Sequence, residues 1–347
     1  MPADKNNKIN RVLVAPLDWG LGHATRCIPL IRQLLDDGNQ VFLAGSGASG
    51  HLLRLTFPEL DYKEIPSHNI YYAGSGKGQT CTLLQQLPAL FRQMKKEKQW
   101  LQSYLNTQPI DKLISDNRYG LHHPRIQNIL ITHQLGLRSG VGVFFDRMLQ
   151  KILCRLLKNF NEVWVPDHEK EPTLSGELGH PSYTPPIPIR YLGPLSRFHS
   201  TDRKSIPEKI TIVLSGPEPQ RSIMEKKCLN ELFTWKGPVS LIRGLPFGGK
   251  PIEVPEHWRV FDQLNIQSLQ QEIEEASHLI ARCGYSTVMD LEVLRKKAIL
   301  IPTPGQPEQE YLATWLNEKN LQRCVDQQKD LAQVIASTQS PGNFADR

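Results

Sequence analysis

Several things are missing from this chain, and each absence removes a class of function. It contains no Cys-x-x-Cys, and its cysteines (Cys27, Cys81, Cys154, Cys228, Cys283 and Cys324) are scattered, without histidines at zinc-ligand spacing. That argues against a zinc site and a secreted disulfide framework, and for a reducing cytoplasm. No apolar run approaches the ~20 residues that span a bilayer. The polar N-terminus MPADKNNKIN passes into a strand pattern without a signal peptide. Asp-x-Asp is absent too, so the carboxylate pair that usually holds a divalent ion beside a diphosphate is missing and no metal site is expected.

What is present is an ordinary globular composition with a mild positive excess. The formal charge is +6, from 41 Lys and Arg against 35 Asp and Glu. Without a basic stripe or reader motif this does not indicate nucleic-acid binding. It is compatible with an anionic ligand or an anionic membrane surface. At 347 residues the chain is too long for one ordinary core, so two domains are expected.

The first half alternates short apolar strands with helices. Strands are predicted at Arg11–Ala15, Gln40–Ala44, Leu60–Ile65, Lys112–Ser115, Ile129–Thr132 and Glu162–Val165. Helices are predicted at Ala24–Leu35, Leu83–Leu105 and Phe144–Asn159. Such alternation indicates α/β architecture with parallel sheets covered on both faces. Between Pro166 and Pro207 the pattern gives way to prolines and polar residues, the composition of a linker. It then restarts with Ile210–Leu214, a helix to Phe233, Val239–Ile242 and His278–Ala281. The expected division is an N-terminal domain over 1–190, a second domain over 191–325, and a tail or helix over 326–347 packing back toward the first. Ligands in such folds lie at the carboxyl ends of the strands, here facing a cleft between the domains.

The segment RCGYSTVMDLEVLRKKAILIPTPGQPEQEYLA, from Arg282 to Ala313, reads as strand, tight turn, helix, strand, loop, helix. Its turn at Gly284, Ser286 and Thr287 opens a helix, whose leading N–H groups and dipole suit a diphosphate. Asp290, Gln309 and Glu310 follow as acceptors for sugar hydroxyls. An ordinary loop with a solvated acidic patch is the plainer alternative. In the first half, the loop DWGLGHATR starts the first helix, with Gly22 and His23 at its N-terminus and Arg26 one turn on. A helix N-terminus disfavours the imidazolium form, which leaves His23 neutral as a general base requires. A histidine that merely caps the turn fits equally well.

SDNRYG places Asp116 and Asn117 at one strand end, and THQ places His133 at the next. Gly45–Gly50 matches G-x-G-x-x-G but follows the second strand, so a glycine-rich turn from strand into helix is expected there rather than a dinucleotide site. Gly74–Gly78 lacks P-loop spacing and reads as a loop. Over Phe144–Phe160 an apolar face is backed by Arg147, Lys151, Arg155 and Lys158. Such a helix either covers a sheet, the commoner arrangement, or rests on anionic lipid.

The order GLGHATR, proline-rich segment, RCGYSTVMDLE and PTPGQPEQEYLA resembles GT-B nucleotide-sugar glycosyltransferases. The nearest branch is that of the peptidoglycan lipid II N-acetylglucosaminyltransferase, with its family 28 type of C-terminal domain. The resemblance implies a GT-B fold of two Rossmann-like domains facing a central cleft. It also implies a metal-independent, inverting transfer of a hexose or N-acetylhexosamine from a UDP-sugar, a co-substrate rather than a cofactor. Gly284, Ser286 and Thr287 would take the diphosphate, Asp290 the ribose, and Gln309 and Glu310 the donor sugar. Ser215 and Gly216 of SGPEPQR would approach the phosphates, and Arg282 matches a family arginine. On the acceptor side it implies His23 or Asp116 as base, with Gly22, Arg26, Asn117 and His133 around a hydroxyl acceptor of lipid-linked or other kind. Asp290 stands where the family usually has Glu, which shortens its reach. A sugar-nucleotide 2-epimerase and a non-catalytic nucleotide-sugar binder remain as alternatives.

Overall fold

The computed structural model describes residues 9–18, 20–66, 79–136, 142–183, 185–245 and 247–338. The chain divides into two compact units, Met1–Arg197 and Phe198–Arg347.

The first unit runs β1 (Arg11–Pro16), α1 (Leu21–Asp36), β2 (Gln40–Gly45), α2 (Gly47–Thr56), β3 (Tyr62–Glu64), α3 (Gln79–Thr107), β4 (Lys112–Asp116), β5 (Gln127–Ile131), α4 (Val143–Leu157), β6 (Glu162–Val165) and β7 (Ile189–Tyr191). The strands form one parallel sheet in the order β3-β2-β1-β4-β5-β6-β7. Val12 to Ala15 have no exposed surface, as a central parallel strand covered on both faces requires. Leu13, Phe42 and Leu113 pack under Leu101 of α3, and Leu130 and Val163 pack under Leu153 and Leu157 of α4. The chain steps from β1 outward to β2 and β3, then returns to β4 on the other side of β1. That reversal creates a crevice at the carboxyl ends of β1 and β4, where α/β sheets bind ligands.

The second unit repeats the scheme with β8 (Ile210–Val213), α5 (Gln220–Leu232), β9 (Val239–Ile242), β10 (Trp258–Phe261), α6 (Ile266–Glu274), β11 (His278–Arg282), α7 (Tyr285–Val293), β12 (Ile299–Ile301), α8 (Pro307–Glu318), β13 (Arg323–Cys324) and α9 (Leu331–Thr338). Its parallel sheet runs β10-β9-β8-β11-β12-β13, with the reversal between β8 and β11. Leu331, Val334 and Ile335 of α9 are buried with Met224, Cys228 and Leu232 of α5 in this unit's own core.

One expectation is corrected. The proline-rich stretch after Pro166 is not a free linker. The fully buried Asp167 carboxylate accepts from the amides of Leu174 and Ser175, both at 2.8 Å, and gathers the segment into a folded loop. Ile189–Tyr191 then adds a seventh strand beside β6. Prolines hide such an element from composition, yet an edge strand tolerates missing amide donors. Gly45–Gly50 forms the expected turn from strand into helix, with α2 beginning at Gly47. A Cβ on Gly50 would stand 3.2 Å from the Gly45 carbonyl carbon, so the glycine lets helix and strand approach closely. The loop expected at Gly74–Gly78 lies outside the described residues.

Candidate functional site

The crevice of the first sheet gathers side chains from three elements. His23 lies in the first turn of α1, which starts after Gly20 at φ +78°. Arg26 follows one turn later, Asp116 ends β4, and His133 lies just beyond β5. The Asp116 carboxylate has no exposed surface, and Arg26 and His133 are 2% and 3% exposed. His23, at 15%, is the member that reaches the surface. Arg26 Nε donates to Asp116 Oδ2 at 2.6 Å, and a terminal guanidinium nitrogen donates to Asp116 Oδ1. His23 Nδ1 lies 3.1 Å from Asp116 Oδ1 and 2.8 Å from the Arg26 guanidinium. His133 Nδ1 stands 3.5 Å from Arg26.

The chemistry of these partners restricts what the cluster can do. An ionised carboxylate only accepts and a guanidinium only donates. His23 Nδ1 therefore donates to Asp116 in one tautomer and accepts from Arg26 in the other. The first tautomer leaves Nε2 with a lone pair. Burial alone would raise the Asp116 pKa, but Arg26 and His23 outweigh it and hold the carboxyl far below its usual range. Burial, then the Arg26 charge, lowers the His23 pKa from 6.5, against the pull of Asp116. The result is a neutral imidazole beside a fixed anion, the state a general base needs.

The neighbouring residues of SDNRYG have separate fates. Asn117 adopts a left-handed φ of +54°. Its amide N–H donates to Ile131 O, while its Oδ1 is buried without a hydrogen-bond partner. Arg118 is fully buried and has a role that the SDNRYG pattern does not single out. Its Nε donates to Pro16 O at 2.8 Å, one terminal nitrogen to Glu97 at 2.7 Å, and the other to Ser46 Oγ at 3.0 Å. Ser46 in turn donates to Asp18, and Ser49 to Gly20 O. These bonds hold the loop from which α1 begins, and so fix where His23 stands. Gly22 contributes its carbonyl to the Thr25 hydroxyl.

In the second unit the expected residues rise from the carboxyl ends of β8, β11 and β12. Gly284 precedes α7 in extended backbone, and α7 has neither a side-chain cap nor an acid in its first turn. A Cβ on Gly284 would meet nothing nearer than Thr287 Oγ1 at 4.0 Å. The fold of this unit therefore does not itself demand glycine there. Ser286, Thr287 and Asp290 are partly exposed along the same helix. Ser215 and Gly216 are exposed, with Gly216 at φ +96° in the loop before α5. Gln309 and Glu310 turn back on their own loop: Gln309 Oε1 accepts from Thr303 N at 2.9 Å and Glu310 Oε1 from Gly305 N at 2.7 Å. Arg282, 2% exposed, is bound to three oxygens of its own unit. Among the described residues no group of three or more His, Cys, Asp or Glu side chains is placed to hold a metal ion.

Solved glycosyltransferases share this fold, and one family model matches part of the second unit. Residues 256–344 match the glycosyltransferase family 28 C-terminal domain. An uncharacterized glycosyltransferase of Methanosarcina acetivorans is 25% identical over 333 residues, covering 91% of this chain and 85% of that protein. The glycotransferase of kitacinnamycin superposes with a TM-score of 0.64 at 14% identity, covering 97% of this chain and 92% of its own. Arabidopsis thaliana UGT89C1 complexed with UDP-L-rhamnose gives 0.62 at 15% identity, covering 97% and 91%. The domain match and the archaeal relative support a glycosyltransferase whose second unit resembles the family 28 C-terminal domain, and the shared two-sheet fold is of GT-B type.

Proposed function

We propose that this protein is an inverting, metal-independent glycosyltransferase that moves a hexose or N-acetylhexosamine from a UDP-sugar to a hydroxyl acceptor. The observation that carries the reading is the contact of His23 Nδ1 with the buried, ionised Asp116. With its proton on Nδ1, His23 takes the acceptor hydroxyl proton at Nε2. The freed oxygen attacks the anomeric carbon in line, the bond from that carbon to the phosphate oxygen breaks, and UDP leaves. One displacement inverts the anomeric centre. Asp116, enclosed and bound to Arg26, orients the imidazole and stabilises the imidazolium that forms, as the carboxylate of a Ser-His-Asp triad does.

The leaving diphosphate is placed on the uncapped N-terminus of α7, with Gly284, Ser286 and Thr287 around it and Ser215 and Gly216 alongside. Helix-end amides there offset the negative charge without a metal. Asp290 is assigned to the ribose hydroxyls, and Gln309 and Glu310 to the donor sugar, with Gly22, Asn117 and His133 lining the acceptor. UDP as the nucleotide is supported by the UDP-L-rhamnose complex of the Arabidopsis structure. In the test, purified protein is given UDP-hexoses with and without a hydroxyl acceptor. Acceptor-dependent UDP release, lost in His23→Ala with UDP affinity retained, supports transfer. Epimerised sugar formed without acceptor would replace it with a 2-epimerase, and unchanged release in His23→Ala would remove His23 as base.

We also place the protein in the cytoplasm, in peripheral contact with anionic membrane, where a lipid-linked acceptor is within reach. The first unit holds 23 Lys and Arg against 16 Asp and Glu, the second 18 against 19. The helices α3 and α4 cover the same sheet face, since both crossovers run in one direction. They expose Arg92, Lys95, Lys96, Arg147, Lys151 and Arg155, while Glu97, the one acid of α3, is buried. Phe144, 78% exposed, offers an apolar insert beside them. Among the described residues no helix is long and apolar enough to cross a membrane. Flotation with phosphatidylserine vesicles, but not phosphatidylcholine vesicles, is expected. Equal behaviour with both would remove this contact.

A further inference from the structure

Arg282 ends β11 inside the second unit, and its surroundings are unusual for a cation. One terminal nitrogen donates to Gln327 Oε1 at 2.7 Å and to Pro302 O at 3.3 Å, and the other to Gln220 O at 2.8 Å. Gln220 opens α5 after β8, Pro302 follows β12, and Gln327 follows β13. One guanidinium thus ties together the carboxyl ends of four neighbouring strands: β8, β11, β12 and β13. This is the rim that carries Ser215, Gly216 and the Gly284–Thr287 turn.

All three acceptors are neutral. Among the described residues no carboxylate pairs with Arg282, and its Nε is buried with no partner at all. Burial pushes its pKa down to about 10, which still leaves it charged at neutral pH. A buried charge is normally paired or bound to a metal, because desolvation costs several kcal/mol otherwise. The other enclosed arginines among the described residues obey that rule: Arg26 has Asp116, Arg118 has Glu97, and Arg221 and Arg243 share Glu225. Arg282 departs from it on the strand that leads directly into the diphosphate turn.

We propose that Arg282 is a positioning residue for the donor, holding the strand-end rim in shape and carrying an unmatched charge that the diphosphate of UDP balances on binding. It acts through the turn and the α5 loop rather than by touching the phosphates. The inference rests on the donor site proposed above.

The test compares UDP with uridine, which has the base and ribose but no phosphate, by calorimetric titration of the full chain. Arg282→Gln is expected to weaken UDP binding 10- to 100-fold while changing uridine binding less than threefold. Arg282→Lys, which keeps the charge with fewer contacts, is expected to retain the preference for UDP. It serves as the comparison if Arg282→Gln does not fold. Equal losses for both ligands would reduce Arg282 to a structural tie, and unchanged UDP affinity would remove the role altogether. Loss of the UDP preference in Arg282→Lys would likewise overturn the charge argument. Failure of the wild-type protein to bind UDP would instead overturn the donor site, and this inference with it.

Discussion

His23 Nδ1 and Asp116 Oδ1 lie 3.1 Å apart, and Arg26 holds the same carboxylate through both of its oxygens. The anion is therefore fixed in place before any substrate arrives, and it offers His23 Nδ1 an acceptor for the tautomer that frees Nε2. Asp116→Asn tests this. With Arg26 still donating to the amide oxygen, the amide nitrogen turns toward His23 and puts the histidine proton on Nε2. Transfer should fall about 10³- to 10⁴-fold, the scale found when a triad carboxylate becomes an amide. Steady-state kinetics should show the loss in kcat, with little change in donor KM.

The pH profile follows from the charges facing His23. Burial and Arg26 lower its pKa below 6.5, and Asp116 opposes them. A protonated base cannot act, so the acid limb of kcat/KM should have its midpoint below 6.5 and lose rate as pH falls through it. Arg26→Gln removes a lowering charge and should move that limb upward. A limb that stays in place would separate the measured ionisation from His23.

Asp116 also links stability to pH. Its folded pKa lies far below the ordinary 3.8, so its stabilisation is fully present above 3.8 and is lost as pH falls toward the folded value. Asp116→Asn should lose stability at pH 7, by about 3–5 kcal/mol because Arg26 is left buried without its anion. The difference from wild type should shrink in acid. Urea unfolding at pH 7 and pH 3 measures both.

Glu97 and Arg118 are both fully enclosed, 2.7 Å apart. Glu97→Ala should cost about 3–5 kcal/mol, whereas Lys98→Ala on the exposed side should stay within about 0.5 kcal/mol. Since Arg118 holds the loop before α1, transfer should fall further than UDP affinity does.

The sequence made the architecture legible wherever a strand was a short apolar run. Val12–Ala15, Glu162–Val165 and Val239–Ile242 needed no tertiary information. It concealed β7, whose prolines suit an edge. The residues proposed for the site were nameable where one residue type at a helix start has a direct chemical use, as with His23 and Gly284. Arg118 and Arg282 were harder to read. Nothing in SDNRYG or RCGYST distinguishes an arginine that meets a ligand from one enclosed among carbonyls, because that depends on which strand ends the fold brings together.

The most direct test of the account is calorimetric titration of UDP into the wild-type protein and Gly284→Val. Gly284 has extended backbone that valine accepts, and a Cβ there meets no atom of its own unit closer than 4.0 Å. The variant should unfold at the wild-type temperature, and its added side chain should occupy the space above the α7 N-terminus. The account predicts saturable UDP binding to the wild type and none to Gly284→Val. Equal binding to both, or no binding to the wild type, would contradict it.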